Sequence, residues 1–247
     1  MLDIIKNKII LIYTILLSIL SWGIFALEDS SGKGILTLLN VILLNVPLVS
    51  IIFSTIYLYN SSEFIELLLS QPIKRSRIWV SFYIGLLVAH WISYIIGVAV
   101  PILIFKFSAV GMILIIVGIL INAIFISLAF LSTAITKDKA KGIGMSILLW
   151  LFFALLFDGI VLFLLFQFSE YPIEKFMVFI AAFSPIDLAR ILVLLNLDVS
   201  ALMGYTGAIF KQYFGSQLGM IVTFSLLLIW AIIPFMISKR IFNKLDL

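Results

Sequence analysis

Six apolar runs alternate with mostly short polar connections along the chain. They cover residues about 9–27, 35–59, 79–104, 109–135, 143–168 and 218–237. A helix rises 1.5 Å per residue, so roughly 20 apolar residues cross a bilayer. The pattern predicts an all-α membrane protein with six spans in one domain, residues 1–247. No internal repeat and no low-complexity tract interrupts it. One connection is long, the segment 169–217 between the fifth and sixth runs.

Two connections carry patterns of their own. In 60–78, Asn60, Ser61 and Ser62 are good helix N-caps, and Asn60 with Glu63 resembles a capping box. Glu63, Glu66 and Ser70 then share one helical face, and Phe64, Ile65 and Leu68 the other. Pro72 stops the helix. Lys74, Arg75 and Arg77 precede the next span. The spacing predicts a short amphipathic helix over about 60–72, lying on the membrane surface with its carboxylates toward the cytosol. It is either a capped connector or a coupling element for a cytoplasmic partner. Glu63, Glu66, Leu67, Ser70, Pro72 and Arg75 are its candidate site residues.

In 169–217, the run Phe176–Phe183 is too short to span and suits a re-entrant or interfacial segment. Ser184, Pro185 and Asp187 fall at N-cap, N1 and N3 of a helix start. Leu188, Ile191, Leu192 and Leu195 repeat at helical spacing, with Arg190 on or near the polar side. Asp198 follows, then small residues and aromatics that include Gly204, Tyr205 and Gly207. The segment is a lid over the helix ends, a docking surface for an extracytoplasmic protein, or the rim of a lateral exit. Its candidate docking residues are Ser184, Pro185, Asp187, Arg190, Asp198, Gly204, Tyr205 and Gly207.

Composition agrees with the spans. Hydrophobic residues make up 64% of the chain and charged residues 11%, with mean hydropathy +1.30, against about 45–50% and 25% in soluble domains. The net charge of +4 is not a nucleic-acid footprint, because the basic residues sit in short loops beside apolar runs. With the N-terminus inside, the inner segments hold Lys6, Lys8, Lys74, Arg75, Arg77, Lys137, Lys139, Lys141, Lys239, Arg240 and Lys244. The outer ones hold Lys33, Lys106, Lys175, Arg190 and Lys211. The positive-inside rule therefore puts both termini in the cytoplasm. The first run is too long for a typical signal core and lacks a small-residue cleavage site, so it reads as a retained helix.

Polar groups inside the runs are few. His90, the only histidine, lies in the third run and Asp158 in the fifth, roughly 16 and 22 Å from their inner ends. They meet through a hydrogen bond, or Asp158 faces a wet outer cavity and His90 is a neutral packing residue. Asn40, Pro47, Ser50 and Ser54 share a face of the second run that suits helix packing, a dimer mate or substrate lining. With no cysteine, one histidine and no Met cluster, metal passage through the spans has little support. No H-E-x-x-H and no G-x-x-x-x-G-K-[ST] occurs, so the chain is expected to be non-catalytic and to bind no cofactor itself. A passive membrane scaffold stays open as a third reading.

The acidic residue, Leu-Leu-Ser run, Pro and basic residues of 63–77 resemble the permease subunits of ABC-2 exporters, as do the six spans and the long outer segment before the last. That resemblance implies a type V exporter-like fold, membrane lipid around it, and coupling of the 60–72 helix to separate ATPase subunits that hold ATP and Mg. More narrowly, Ser184–Arg190, Leu197-Asp198 and Ser200–Ala208 resemble the NosY-type permeases that serve nitrous oxide reductase maturation. The family often has Asn where Ser184 stands, and both residues cap helices. This narrower resemblance implies a homodimer with two cytoplasmic ATPase subunits in a bacterial inner membrane. It also implies a periplasmic copper-binding β-helix protein, and support for copper–sulfide centre assembly.

Overall fold

Helix α1 (Lys8–Leu27) begins where the Asn7 side chain accepts the Ile9 N–H at 3.0 Å, satisfying one orphan donor of the first turn. A computed structural model describes residues 7–27, 31–105, 107–168, 179–196 and 204–244, with side chains left out at 31–32 and 204–216. Among the described residues all regular structure is helical. After α1 come α2 (Ser31–Asn60), the short α3 (Ser62–Leu69) and α4 (Arg75–Tyr94). A π-helical turn (Ile95–Ala99) joins α4 to α5 (Val100–Phe105). Pro101 has no N–H for the Gly97 carbonyl and its ring crowds that carbonyl, so the wider turn accommodates it. Next are α6 (Ala109–Ile135), α7 (Lys139–Leu151), a second π-helical turn (Phe152–Leu156) and α8 (Phe157–Gln167). Then come α9 (Pro185–Leu194) and α10 (Gly204–Lys244).

Six stretches are long and apolar enough to cross a membrane: Lys8–Leu27, Lys33–Asn60, Arg75–Phe105, Ala109–Ile135, Lys139–Gln167 and Gln217–Lys244. The protein is thus a multi-pass membrane protein, as the hydropathy pattern predicts. α6 is its axis: 72% of its apolar window is buried, against 28% or less for the first, fifth and sixth spans. α6 packs against α2, α4, α9 and α10.

Lipid tails are as apolar as leucine, so helix association relies on close packing and interhelical hydrogen bonds. Both are present. Ser50 Oγ donates to Asn122 Oδ1 at 2.7 Å, and Ser146 Oγ lies 2.7 Å from Thr55 Oγ1 and 2.8 Å from Ser132 Oγ. Ser127 Oγ donates to the Ala231 carbonyl at 2.7 Å. Tyr94 is fully buried, donates to the Leu114 carbonyl at 3.0 Å, and lays its ring where Gly118 has no side chain.

Two elements differ from the sequence expectation. The last helix begins at Gly204 rather than near 218, and its 41 residues extend about 60 Å at the α-helical rise. Gly204, Tyr205 and Gly207 therefore lie in its first turn. α9, expected as an amphipathic helix with Arg190 on or near its polar side, lies inside the bundle with Arg190 as its one residue that is not buried. Nine of its ten residues are buried, because it packs against α2, α6, α10 and the second π turn at once.

Candidate functional site

The basic loops gather at one end of the bundle. There α3 follows α2 after one turn residue, Ser61, whose N–H reaches the Tyr57 and Leu58 carbonyls at 3.0 and 3.2 Å. The expected capping box is not formed: α3 has no side-chain cap. α2 runs on almost without a break into α3, and the Ile65 N–H bonds to the Ser61 carbonyl at 2.9 Å. Asn60 is used elsewhere. Its Oδ1 accepts from Lys139 Nζ at 2.7 Å, and the neighbouring Tyr59 hydroxyl donates to the Thr136 carbonyl at 2.7 Å. These two bonds tie the base of α3 to the loop before α7. Gly142 lies under the Tyr59 ring with no room for a Cβ.

One side of α3 packs on the bundle and the rest of it is exposed. Ile65 is buried, with Leu68 and Leu69 half-buried, whereas Phe64 and Leu67 are 57% and 56% exposed. The Phe64 ring lies 6.3 Å from Phe82 of α4. The helix ends at Leu69, before Pro72, and Ser70 Oγ donates back to the Leu67 carbonyl at 2.8 Å. Arg75 opens α4, whose N-cap is Lys74. Beneath α3 lies a cleft of about 410 Å³, lined by Leu58, Ile65, Trp79, Phe242 and, at its polar edge, Glu66, Lys137 and Lys139.

At the opposite end, Ser184 caps α9 by accepting the Asp187 N–H at 3.2 Å, with Pro185 at N1. Arg190 reaches two carboxylates, Asp187 one turn before it and Asp158 on α8, both at 3.3 Å. Burial, then the neighbouring Asp158 charge, pushes the Asp187 carboxyl up to about 7, against the pull of Arg190. Ser184, Pro185 and Asp187 are buried at the start of α9. Arg190 is half-buried in the ion-pair cluster. Asp198 lies outside the described residues, and the side chains of Gly204, Tyr205 and Gly207 are not described.

His90 and Asp158 do not pair. Asp158 is taken by Arg190, and His90 is fully buried, its Nδ1 2.9 Å from the Leu86 carbonyl. Its ring lies 5.5 Å from Phe53 and 6.2 Å from Tyr13. The shared face of α2 divides at Pro47. Ser50 and Ser54 are buried against the bundle, while Asn40 is exposed. The Ser50–Asn122 and Asn60–Lys139 contacts had no sequence signal beyond the residues' polarity. Among the described residues no group of three His, Cys, Asp or Glu side chains is placed to hold a metal.

A family model for the ABC-2 family transporter proteins matches residues 41–247. The chain belongs to that family. The match takes in every described element from α3 onward, including the cleft, the ion-pair cluster and the central α6. None of the curated proteins matches the chain. ABC-2 membrane domains are non-catalytic and pair with ABC ATPase subunits, so ATP hydrolysis belongs to a separate subunit. In this ABC-2 subunit the α3 helix and its cleft occupy the basic end, and the Asp158–Arg190–Asp187 cluster the other.

Proposed function

We propose that this membrane subunit receives the motion of its ATPases through α3. The observation that carries the reading is the outward face of α3. Phe64 and Leu67 stand exposed beside Glu63 and Glu66 at the end bearing the basic loops. Exposed apolar side chains rimmed by charge suit a protein partner, and the charge asymmetry puts this end in the cytosol. Ser70, Pro72 and Arg75 form the turn that passes the motion to α4. Two subunits and two cytoplasmic ATPases make the complex.

The narrower reading is a NosY-type permease in a bacterial inner membrane. Its support is the sequence resemblance in Ser184–Arg190 and the residues after it. In that reading a periplasmic copper-binding β-helix protein meets the outer segment, where Asp198, Gly204, Tyr205 and Gly207 lie. The complex then assists copper–sulfide centre assembly, by moving a sulfur species or by mechanical coupling. An ABC-2 exporter of lipid, glycan or drug is the second reading, favoured by the family membership alone.

The test is purification in mild detergent with identification of retained subunits, followed by Glu66→Arg. The expected result is co-purification of an ATPase whose stimulated hydrolysis is lost in the variant, with membrane insertion intact. Wild-type hydrolysis in Glu66→Arg removes α3 from the coupling path. Recovery of an ATPase without a β-helix partner favours the exporter reading. ATP hydrolysis in vesicles without solute movement favours mechanical coupling over sulfur transfer.

A further inference from the structure

We infer that the cleft beneath α3 binds the phosphodiester headgroup of an anionic membrane phospholipid. Its volume of about 410 Å³ lies within the range of small-molecule sites. Its floor is apolar, formed by Leu58, Ile65, Trp79 and Phe242. The Trp79 indole N–H is committed to Ser238 Oγ at 3.1 Å and its ring is packed between Phe242 and Phe130, so it adds no polar atom to the lining. The edge holds two ammonium groups, Lys137 and Lys139, against one carboxylate, Glu66. One positive charge is therefore in excess, the complement of a single phosphodiester.

The donors are available for it. Lys139 uses one of its three N–H groups on Asn60. Lys137 is exposed and has no hydrogen bond or ion pair among the described residues. The cleft opens where the helices end, at the level where basic residues meet lipid headgroups. Free phosphate leaves the apolar floor uncovered, and an uncharged apolar molecule leaves the lysines unmatched. A phospholipid meets both, with glycerol and upper acyl chain against the apolar lining and the phosphate on the lysines. The occupant bridges α3 and the loop before α7, beside the Asn60–Lys139 bond. The inference does not concern the cargo, and its test reads lipid labelling rather than ATP hydrolysis, although Glu66 at the cleft edge is also the proposed coupling residue.

The test uses the full-length chain in nanodiscs with a photoreactive phosphatidylglycerol, the crosslinks being mapped by mass spectrometry. Labelling is expected in peptides spanning 58–66 and 133–139, above that given by a matched phosphatidylcholine probe. Lys137→Ala has no partner to lose and should cut that labelling about fivefold. Adding Lys139→Ala should cut it about thirtyfold, on a scale of ~1 kcal/mol per basic residue at an anionic surface. Equal labelling by the phosphatidylcholine probe overturns the inference, as does unchanged labelling in Lys137→Ala. Displacement of the probe by millimolar inorganic phosphate also overturns it, since the site would then recognise the ion and not the lipid.

Discussion

Asp158 and Arg190 lie 3.3 Å apart, on helices 32 residues distant in sequence. The same guanidinium nitrogen lies 3.3 Å from Asp187. One cation thus serves two carboxylates and fastens α9 to the fifth span. Asp158 and Arg190 are each about a third or more exposed, so their pair on its own contributes little, within about 1 kcal/mol. Asp187 is the buried member. Arg190→Met should cost about 2 kcal/mol, mostly by leaving the Asp187 carboxyl unpaired. Denaturant unfolding in detergent measures it. A double-mutant cycle with Asp187→Asn should recover most of that loss, and independent additive effects of the two changes would contradict the account.

The Asp187 carboxyl also predicts a pH dependence. Burial holds its native value at about 7, above its ordinary 3.8. Between those values the native state binds the proton more firmly than the unfolded state does. Stability from this group is therefore present at low pH and lost as pH rises through about 7. The melting temperature in detergent should fall across that window, and Asp187→Asn should flatten the slope. An unchanged slope in Asp187→Asn would assign the pH dependence to other groups.

The two sides of α3 should separate folding from coupling. Ile65 is 6% exposed and Phe64 57%. Ile65→Ala should lower stability by about 2 kcal/mol or more, as a buried large-to-small change does. Phe64→Ala should stay within about 0.5 kcal/mol of the parent while weakening ATPase retention on purification. Thermal unfolding alongside co-purification reads both. Full ATPase retention in Phe64→Ala would argue that the exposed ring faces something other than the ATPase.

Gly118 is a packing requirement rather than a flexible joint. A Cβ there meets the Tyr94 ring, and Tyr94 is fully enclosed, so it has nowhere to turn. Gly118→Ala should cost about 1–3 kcal/mol through overpacking. Tyr94→Phe should cost about 1 kcal/mol by leaving the Leu114 carbonyl without that donor. Melting temperatures of the two variants check both values.

The hydroxyl chain Thr55–Ser146–Ser132 gives a smaller effect. Ser146→Ala removes both of its contacts, yet interhelical hydrogen bonds in membranes average about 0.6 kcal/mol each. A loss near 1 kcal/mol is expected, by the same thermal unfolding in detergent. A loss several times larger would mean that the chain orders more of α7 than these contacts suggest.

Properties set by neighbouring residues are legible in the sequence itself. Span length and hydropathy are local sums, so six crossings follow from the apolar runs alone. The Ser184-Pro185-Asp187 helix start is also local, since its cap bond joins residues three apart. Contacts between distant residues are decided only by the tertiary arrangement. The sequence leaves Asp158 with His90 or water as partners, but α9 is drawn into the bundle and brings Arg190 to it. Asn60 is suited to a local cap, yet Lys139, 79 residues away, takes its oxygen. On α3 periodicity groups Phe64, Ile65 and Leu68, but only the packing shows that Ile65 is the one enclosed. Side-chain chemistry sets which partners a polar or aromatic group accepts, and helix packing sets which of them lies within reach.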